Sequence, residues 1–258
     1  MNLVNKEYHK RARILWDNWQ DRSAVPAESS GISTSKLASS MTLSLLKADA
    51  SISEVNKLCK EAREFKLGGV CVNPVHVERC VQFAGDEMPV SAVVGYPLGA
   101  NHPETKIFEA DLAVQQGASA VELVLNTGLL KTSNFQEVFE ELRAVRYACP
   151  ESDLTIILET ALMDPLQIII GCMLCREAGA DDVKTSTQNR GIEKSAETVS
   201  LMRFVLGDDL GVIAAGDIST VELAQNHLHA GASRLSVEFI QAGTPLSAIF
   251  TNSEQAVD

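Results

Sequence analysis

The segment Leu154-Thr155-Ile156-Ile157-Leu158 is the strongest strand pattern in the chain and decides the fold class. Its residues are almost continuously apolar, as expected for a parallel strand that is covered on both faces. Similar short runs recur on both sides of it. Together they number eight, and they occupy Ser40–Leu46, Gly69–Asn73, Val90–Tyr96, Ala120–Leu125, Leu154–Glu159, Asp182–Thr185, Gly211–Ala215 and Arg234–Val237.

Amphipathic segments with helix signals separate these runs. Ser51–Lys66 begins on a serine that Glu54 follows three residues later, the capping-box pattern. Asp164-Pro165 places a helix cap before a proline in the first helical position. Eight alternating strand–helix units predict an α/β fold, a closed (β/α)₈ TIM barrel. The alternative is a doubly wound sheet, which usually has a glycine-rich phosphate loop after its first strand, and Leu45–Asp49 is not such a loop.

The chain is predicted to hold one barrel domain, residues 38–258, behind an N-terminal extension, residues 1–37. Its 258 residues match the roughly 250 that such a barrel needs. Within the extension, residues 1–20 predict a helix, and residues 21–36 predict a linker rich in small residues. We expect Trp16 and Trp19 to pack on the barrel or on a second subunit.

The net charge and the composition limit the classes of partner that the protein is expected to bind. The formal net charge of −12 argues against nucleic acid and anionic membranes, which both demand a basic surface. No apolar run approaches the roughly 20 residues of a membrane helix, and the N-terminus has no signal-peptide core, so we expect a cytoplasmic protein. Cys172 and Cys175 have no second ligand pair that would complete a metal site, and buried core cysteines are the favoured interpretation. Homo-oligomer formation is left open.

Polar residues at the carboxyl ends of the strands are the candidates for chemistry, because (β/α)₈ enzymes place their catalytic groups there. Lys184 is the most informative, since lysine is rarely buried without a reason. Desolvation would lower the pKa of its amine and make it a nucleophile. The alternative is a buried ion pair of Lys184 with Glu122 or Glu159.

Several motifs resemble those of deoxyribose-phosphate aldolases. Val183-Lys184-Thr185-Ser186-Thr187, after Glu177–Asp181, resembles the family signature EAGAD-x-VKTST. Val94–Ala100 is similar to VIGFPLGA, and Leu158-Glu159-Thr160 to IIET. The resemblance covers roughly residues 38 to 240. It implies a class I aldolase that needs no metal or cofactor, in which Lys184 forms an imine with a small aldehyde or sugar substrate.

Three departures affect the implied catalytic residues. Glu122 replaces the acidic relay residue of the family, an aspartate on the fourth strand, and reaches one methylene further. Thr42 replaces an aspartate of the first strand. Ile213 replaces a second lysine of the seventh strand. Ile213 can lower the pKa of Lys184 only through desolvation, while Glu122 raises it, and the sequence leaves the balance open.

The loops that hold the phosphate in the family are also changed. Gln188 and Asp217 replace glycines, Ser219 replaces an arginine, and Ser236–Phe239 replaces GTSS. Asp217 and Glu238 would repel a phosphate dianion unless they point away; in the alternative interpretation they are solvated and backbone amides still suffice. Arg190 and Lys194 could form another anion contact, although solvent-facing charges are the favoured interpretation.

The expected site therefore combines two catalytic residues, Lys184 and Glu122, with a wider set of substrate-binding candidates. The binding candidates are Thr42, Cys71, Asn73, Asn126, Glu159, Thr185, Gln188, Ile213, Gly216, Asp217, Ser236 and Glu238. Three functions compete. The first is a divergent class I aldolase acting on a substrate other than deoxyribose 5-phosphate. The second is the ordinary family reaction at a reduced rate, and the third is an inactive barrel that serves as a binding or assembly protein.

Overall fold

Eight parallel strands close into a barrel in sequence order. The computed structural model describes residues 3–22, 31–189, 196–216, 218–239 and 250. The strands are β1 (Met41–Leu45), β2 (Gly69–Val72), β3 (Val90–Val94), β4 (Ala120–Val124), β5 (Asp153–Ile157), β6 (Asp182–Lys184), β7 (Gly211–Ala215) and β8 (Arg234–Glu238). Pairing of β8 with β1 completes the closure. The predicted barrel is confirmed, and the doubly wound alternative, which requires an open sheet, is excluded.

Helices follow the strands and form the outer ring. They are α1 (Leu3–Gln20), α2 (Thr34–Ser39), α3 (Ile52–Glu64), α4 (Val77–Ala84), α5 (Pro103–Gln115), α6 (Thr127–Lys131), α7 (Phe135–Ala148), α8 (Pro165–Ala178), α9 (Ala196–Leu206) and α10 (Val221–His229). Three short 3₁₀ turns occupy Pro74–His76, Gly85–Glu87 and Thr160–Leu162. The capping boxes predicted at Ser51 and Asp164 are both present.

The predicted linker ends earlier than its composition indicates. Helix α2 already begins at Thr34, because the Ser33 side chain accepts a hydrogen bond from the Lys36 amide at 3.3 Å and so caps the first turn. Small polar residues that look like a linker are here a helix start. The expected boundary between residues 37 and 38 therefore falls inside a helix.

Helix α1 lies on the outside of the barrel, chiefly against α8. Its Tyr8 hydroxyl donates to Glu177, and Arg11 forms an ion pair with the same carboxylate at 3.2 Å. Trp16 and Trp19 stack with their rings 5.2 Å apart and pack against the apolar core. The prediction that the tryptophans pack on the barrel is confirmed. Since α1 covers its outer side, α8 is buried at every residue from Ile168 to Cys175.

Side chains of each strand alternate between the helices and the barrel interior. Outward residues such as Leu43, Ile156 and Val212 join the main apolar core between sheet and helices. The inward residues of β4 and β6 include Glu122 and Lys184, so polar chemistry is concentrated inside the barrel. All six cysteines are free and buried. Within the described ranges, no helix has both the length and the apolar character needed to cross a membrane.

Candidate active site

Lys184 and Glu122 form an ion pair inside the barrel. Lys184 ends β6, Glu122 lies in the middle of β4, and the two strands flank β5. The Lys184 Nζ atom donates to Glu122 Oε2 at 2.8 Å, and the two residues are 1% and 4% exposed. Of the two ion-pair partners considered from the sequence, the structure selects Glu122. A carboxylate at this distance is within reach to exchange a proton with the amine.

The surroundings of Lys184 decide whether its pKa is raised or lowered, which the sequence left open. Burial disfavours the ammonium and lowers the pKa of Lys184, but the charge of Glu122, the Cys71 side chain and the hydrogen bond to Glu122 raise it, and the net pKa lies above the ordinary value. Arg234 acts in the lowering direction. The resting amine is therefore protonated, and it becomes a nucleophile only when its proton is transferred.

A chain of polar side chains connects the ion pair to solvent. The Cys71 thiol lies beside Glu122 and Ser44, and burial followed by the Glu122 charge raises its pKa. Cys71 is accordingly a thiol at rest rather than a reactive thiolate. Ser44 Oγ lies 3.0 Å from Ser236 Oγ, and Ser44 also lines the cavity at the mouth of the barrel.

An open cavity of about 160 Å³ lies at the carboxyl ends of the strands, where barrels of this type carry their active sites. Its lining is largely polar and comes from Ser44, Leu46, Lys47, Tyr96, Gln188, Asn189 and Glu238. The lining includes one cation, Lys47, and one carboxylate, Glu238. The Lys47 ammonium is held by Glu54 at 2.7 Å and Asp49 at 3.5 Å, whereas Glu238, at the end of β8, is exposed.

The loop after β6 is fastened by its neighbours. The Glu159 carboxylate accepts from the Thr187 hydroxyl and from the Thr187 amide, the latter at 3.2 Å. The Tyr96 hydroxyl donates to the Thr187 carbonyl at 3.0 Å, and burial raises the pKa of Tyr96 to about 12, so it stays a donor. Thr185 is bonded through its hydroxyl to the Ala215 carbonyl and amide at 3.1 and 3.0 Å. These contacts fix the backbone beyond Lys184.

Gln188 has a backbone that favours glycine, with φ of +67°. Such a conformation costs about 1–3 kcal/mol for another residue. Its side-chain Nε2 donates to the Ser236 carbonyl at 2.9 Å. The Gln188 side chain therefore spans from the end of β6 to β8, across the mouth of the barrel.

The remaining binding candidates lie on strands, at strand ends and in the loops that follow them. Ile213 is in register with Lys184 on β7 and is 5% exposed. Thr42 lies one inward layer below Ser44 on β1. The other candidates are at strand ends and loops: Asn73 precedes a 3₁₀ turn, Asn126 caps α6 by accepting from the Leu129 amide at 3.2 Å, and Gly216 follows β7. Asp217, Arg190, Lys194 and the start of the loop after Phe239 lie outside the described residues.

The expected site did not include five residues of the cavity lining: Ser44, Leu46, Lys47, Tyr96 and Asn189. Ser44 lies on β1 itself, and the other four follow a strand end by a few residues. Tyr96 and Asn189 lie in or directly after segments that carry the family resemblance, so proximity to those motifs could have indicated them. Lys47 had only its position after the first strand as a signal. No group of three or more potential metal ligands occurs among the described residues.

Comparisons with known proteins agree with this geometry. The model of the DeoC/LacD family aldolases matches residues 34–241. A deoxyribose-phosphate aldolase of Thermotoga maritima is 39% identical over 221 residues, which cover 84% of this chain and 88% of that protein. A protein of Coccidioides immitis, assigned as a deoxyribose-phosphate aldolase, superimposes with a TM-score of 0.84 at 32% identity, covering 95% of this chain and 98% of that one.

The fold and site thus define a barrel enzyme of the aldolase class, a lyase. More particularly, this chain belongs to the DeoC/LacD aldolase family. A structure described as a tetrameric deoxyribose phosphate aldolase, from Aeropyrum pernix, has the same fold, with a TM-score of 0.73 at 24% identity over 95% of this chain and 99% of that one.

Proposed function

We propose that this protein is a class I aldolase whose nucleophile is Lys184 and whose proton relay is Glu122. The observation that carries the proposal is the buried ion pair between them, 2.8 Å long, on strands whose carboxyl ends face the cavity. A buried lysine on its own is costly, and here the carboxylate that stabilises it is also placed to take its proton. No metal is required for such chemistry.

The reaction begins when Glu122 takes a proton from Lys184. The free amine attacks the carbonyl carbon of an aldehyde, and Glu122 returns the proton to the carbinolamine oxygen, which leaves as water. Glu122 next takes the proton of the hydroxyl on the carbon two positions from the imine carbon. The bond between that carbon and the carbon next to the imine breaks, and its electron pair moves to the protonated imine. This releases a second aldehyde and leaves an enamine on Lys184. Glu122 returns the proton to the enamine carbon, and water hydrolyses the resulting imine and frees the lysine.

The substrate is proposed to be a small aldehyde or sugar without a phosphate group. Two features support this. The Gln188 side chain occupies the space between the ends of β6 and β8 by bonding Ser236. The Glu238 carboxylate lies on the cavity wall, where it repels an anion, while the Lys47 ammonium on the same wall is already paired with Glu54 and Asp49. The volume of about 160 Å³ suits a molecule about the size of benzene. The relatives named deoxyribose-phosphate aldolase support the competing proposal, the family reaction on the phosphorylated sugar.

Imine formation is expected to increase toward alkaline pH. The pKa of Lys184 is raised above its ordinary value, with Glu122 as the principal raising cause, and the fraction of free amine grows as pH approaches that pKa. Assembly into a homo-oligomer and a cytoplasmic location stay predictions. The tetramer described for the Aeropyrum pernix aldolase supports the first of them.

Borohydride trapping tests the proposal. The protein is incubated with acetaldehyde, 2-deoxyribose or 2-deoxyribose 5-phosphate, reduced, and analysed by intact mass and peptide mapping. We expect one adduct, on Lys184, and none in Lys184→Ala, whose folding is checked by circular dichroism because the change leaves Glu122 without its ion-pair partner. Faster turnover of the free sugar supports the unphosphorylated substrate, and faster turnover of the phosphorylated sugar restores the ordinary family reaction. Adducts of equal yield in Lys184→Ala contradict the assignment, and a wild-type protein without adduct or turnover favours an inactive barrel.

A further inference from the structure

A second ion pair lies at the starts of β6 and β8, one layer below the first, and the side chain of its arginine, Arg234, is 35% exposed. Asp182 begins β6, two residues before Lys184, so both side chains point inward. The Arg234 guanidinium, at the start of β8, contacts the Asp182 carboxylate through Nη2 and Oδ2. Asp182 is 6% exposed, and about 7 Å of strand separate it from Lys184. The barrel interior thus has two charged layers, one directly above the other.

The intervening strand β7 makes room for this pair. Gly211 is the register partner of Asp182, and a Cβ atom added at Gly211 would lie 1.9 Å from Asp182 Oδ1. Any other residue at this position would displace the carboxylate. In the next layer, β7 presents Ile213, which is in register with Lys184 on one side and with Arg234 on the other. Strand β7 therefore brings no charge of its own between Lys184 and Arg234.

We propose that Asp182 and Arg234 are positioning residues for the Lys184 nucleophile: Arg234 supplies the cation that destabilises the Lys184 ammonium, and Asp182 limits that effect by holding and neutralising the guanidinium one layer below. The inference rests on the proposed imine chemistry of Lys184. It assigns the acid–base balance of the nucleophile to two pairs rather than to Glu122 alone.

The charges that face Lys184 from the described strands support these opposite roles of Arg234 and Asp182. Glu122 on β4 and Cys71 on β2 favour its protonated form, and Arg234 on β8 opposes them. Asp182 is itself affected by burial, which raises its pKa, by Arg234, which lowers it, and by Asp153 and Asp181, which raise it. Arg234 is the cation of this pair that acts on Lys184.

The two partners should therefore have opposite effects. Asp182→Asn removes the neutralising charge, so the pH profile of imine formation should move to lower pH, by up to the roughly 1.7 units expected for unit charges about 7 Å apart at an effective dielectric of about 20. Arg234→Met removes the cation and should move the profile to higher pH, while Arg234→Lys keeps the charge and should restore it. A purely structural pair would lower stability in both variants and leave both profiles in place.

The test measures the rate of the borohydride-trapped acetaldehyde adduct across neutral and alkaline pH, with thermal unfolding recorded for each variant. Asp181→Asn is the matched control, because Asp181 pairs with Arg146 on the outside of the barrel at 2.8 Å; its profile should not move. If Arg234→Met does not fold, the comparison of Asp182→Asn with Arg234→Lys decides. Profiles that stay in place, or move in the same direction, overturn the inference.

Failure of the proposed function gives a different result. If the wild type forms no adduct, the Lys184 signal is followed by NMR in protein labelled with ¹³C at lysine Cε and assigned by Lys184→Met. The pKa of Lys184 read from this titration should be lower in Asp182→Asn than in the wild type and unchanged in Asp181→Asn. A signal that titrates identically in both variants contradicts the electrostatic role even where no reaction occurs.

Discussion

Substitution Ile213→Lys should return a second cation to the neighbourhood of Lys184. Ile213 and Lys184 are register partners on adjacent strands, which places their backbones about 4.8 Å apart. Two ammonium groups at that separation repel by about 3.5 kcal/mol at an effective dielectric of about 20. This corresponds to a pKa change of about two and a half units. The nucleophile would be freed of its proton at lower pH, and the trapping rate near neutrality should rise.

The assay is the pH dependence of borohydride trapping with acetaldehyde, measured beside retro-aldol turnover of 2-deoxyribose and its 5-phosphate. Ile213→Met is the control, since it has a long apolar side chain without the charge. The Lys variant should lose stability, because Ile213 is only 5% exposed and a buried ammonium is costly, so its folding is checked by circular dichroism. A folded Lys variant whose profile coincides with that of Ile213→Met would refute the reasoning and show that desolvation alone tunes Lys184.

Three further substitutions test two residues of the site and one buried ion pair elsewhere in the barrel. Glu122→Gln should lower turnover by about 10²–10⁴-fold in steady-state kinetics; wild-type rates would transfer the relay to water or another carboxylate. Gln188→Gly should relieve the backbone strain at φ +67° but lose one hydrogen bond of about 1 kcal/mol, so the free energy of unfolding in denaturant should change little. The preference for the phosphorylated sugar should rise, because the side chain that spans the mouth of the barrel is removed. An unchanged preference contradicts the proposal that Gln188 excludes the phosphate. Lys106→Met removes a fully buried ammonium from Glu141, 2.7 Å away, and should lower the free energy of unfolding by about 3–5 kcal/mol. Adding Glu141→Gln should recover part of that loss. An unchanged denaturant midpoint for Lys106→Met would contradict a stabilising role of the pair.

Local patterns in the sequence predicted most of the barrel. Each of the eight apolar runs became a strand, because continuous apolarity is what a strand covered on both faces requires. The boundaries differ by a residue or two, as at Val90–Val94, since apolar residues continue beyond the last ladder hydrogen bond. The short helix α2 was missed because a serine cap looks like linker composition until its hydrogen bond is seen.

Contacts between distant strands could not be read from the sequence. The Lys184–Glu122 pair was one of two alternatives, and only closure of the barrel selected it. The link from Gln188 to Ser236 and the contact of Asp182 with Arg234 join residues about fifty positions apart, with no local pattern to indicate them. The sign of the pKa change at Lys184 depends on the sum of burial and three neighbouring charges or thiols, and such a sum requires coordinates.

The position of α1 against α8 affects how much of this chain is needed for the protein to stay soluble. The family model begins at residue 34, after α1 has ended, so trimming the chain to the shared segment would remove α1 entirely. That would uncover α8, whose central residues from Ile168 to Cys175 are all apolar or glycine. A large newly exposed apolar surface promotes aggregation. We therefore expect the shortened protein to be poorly soluble, and helix α1 to serve as a cover for the barrel.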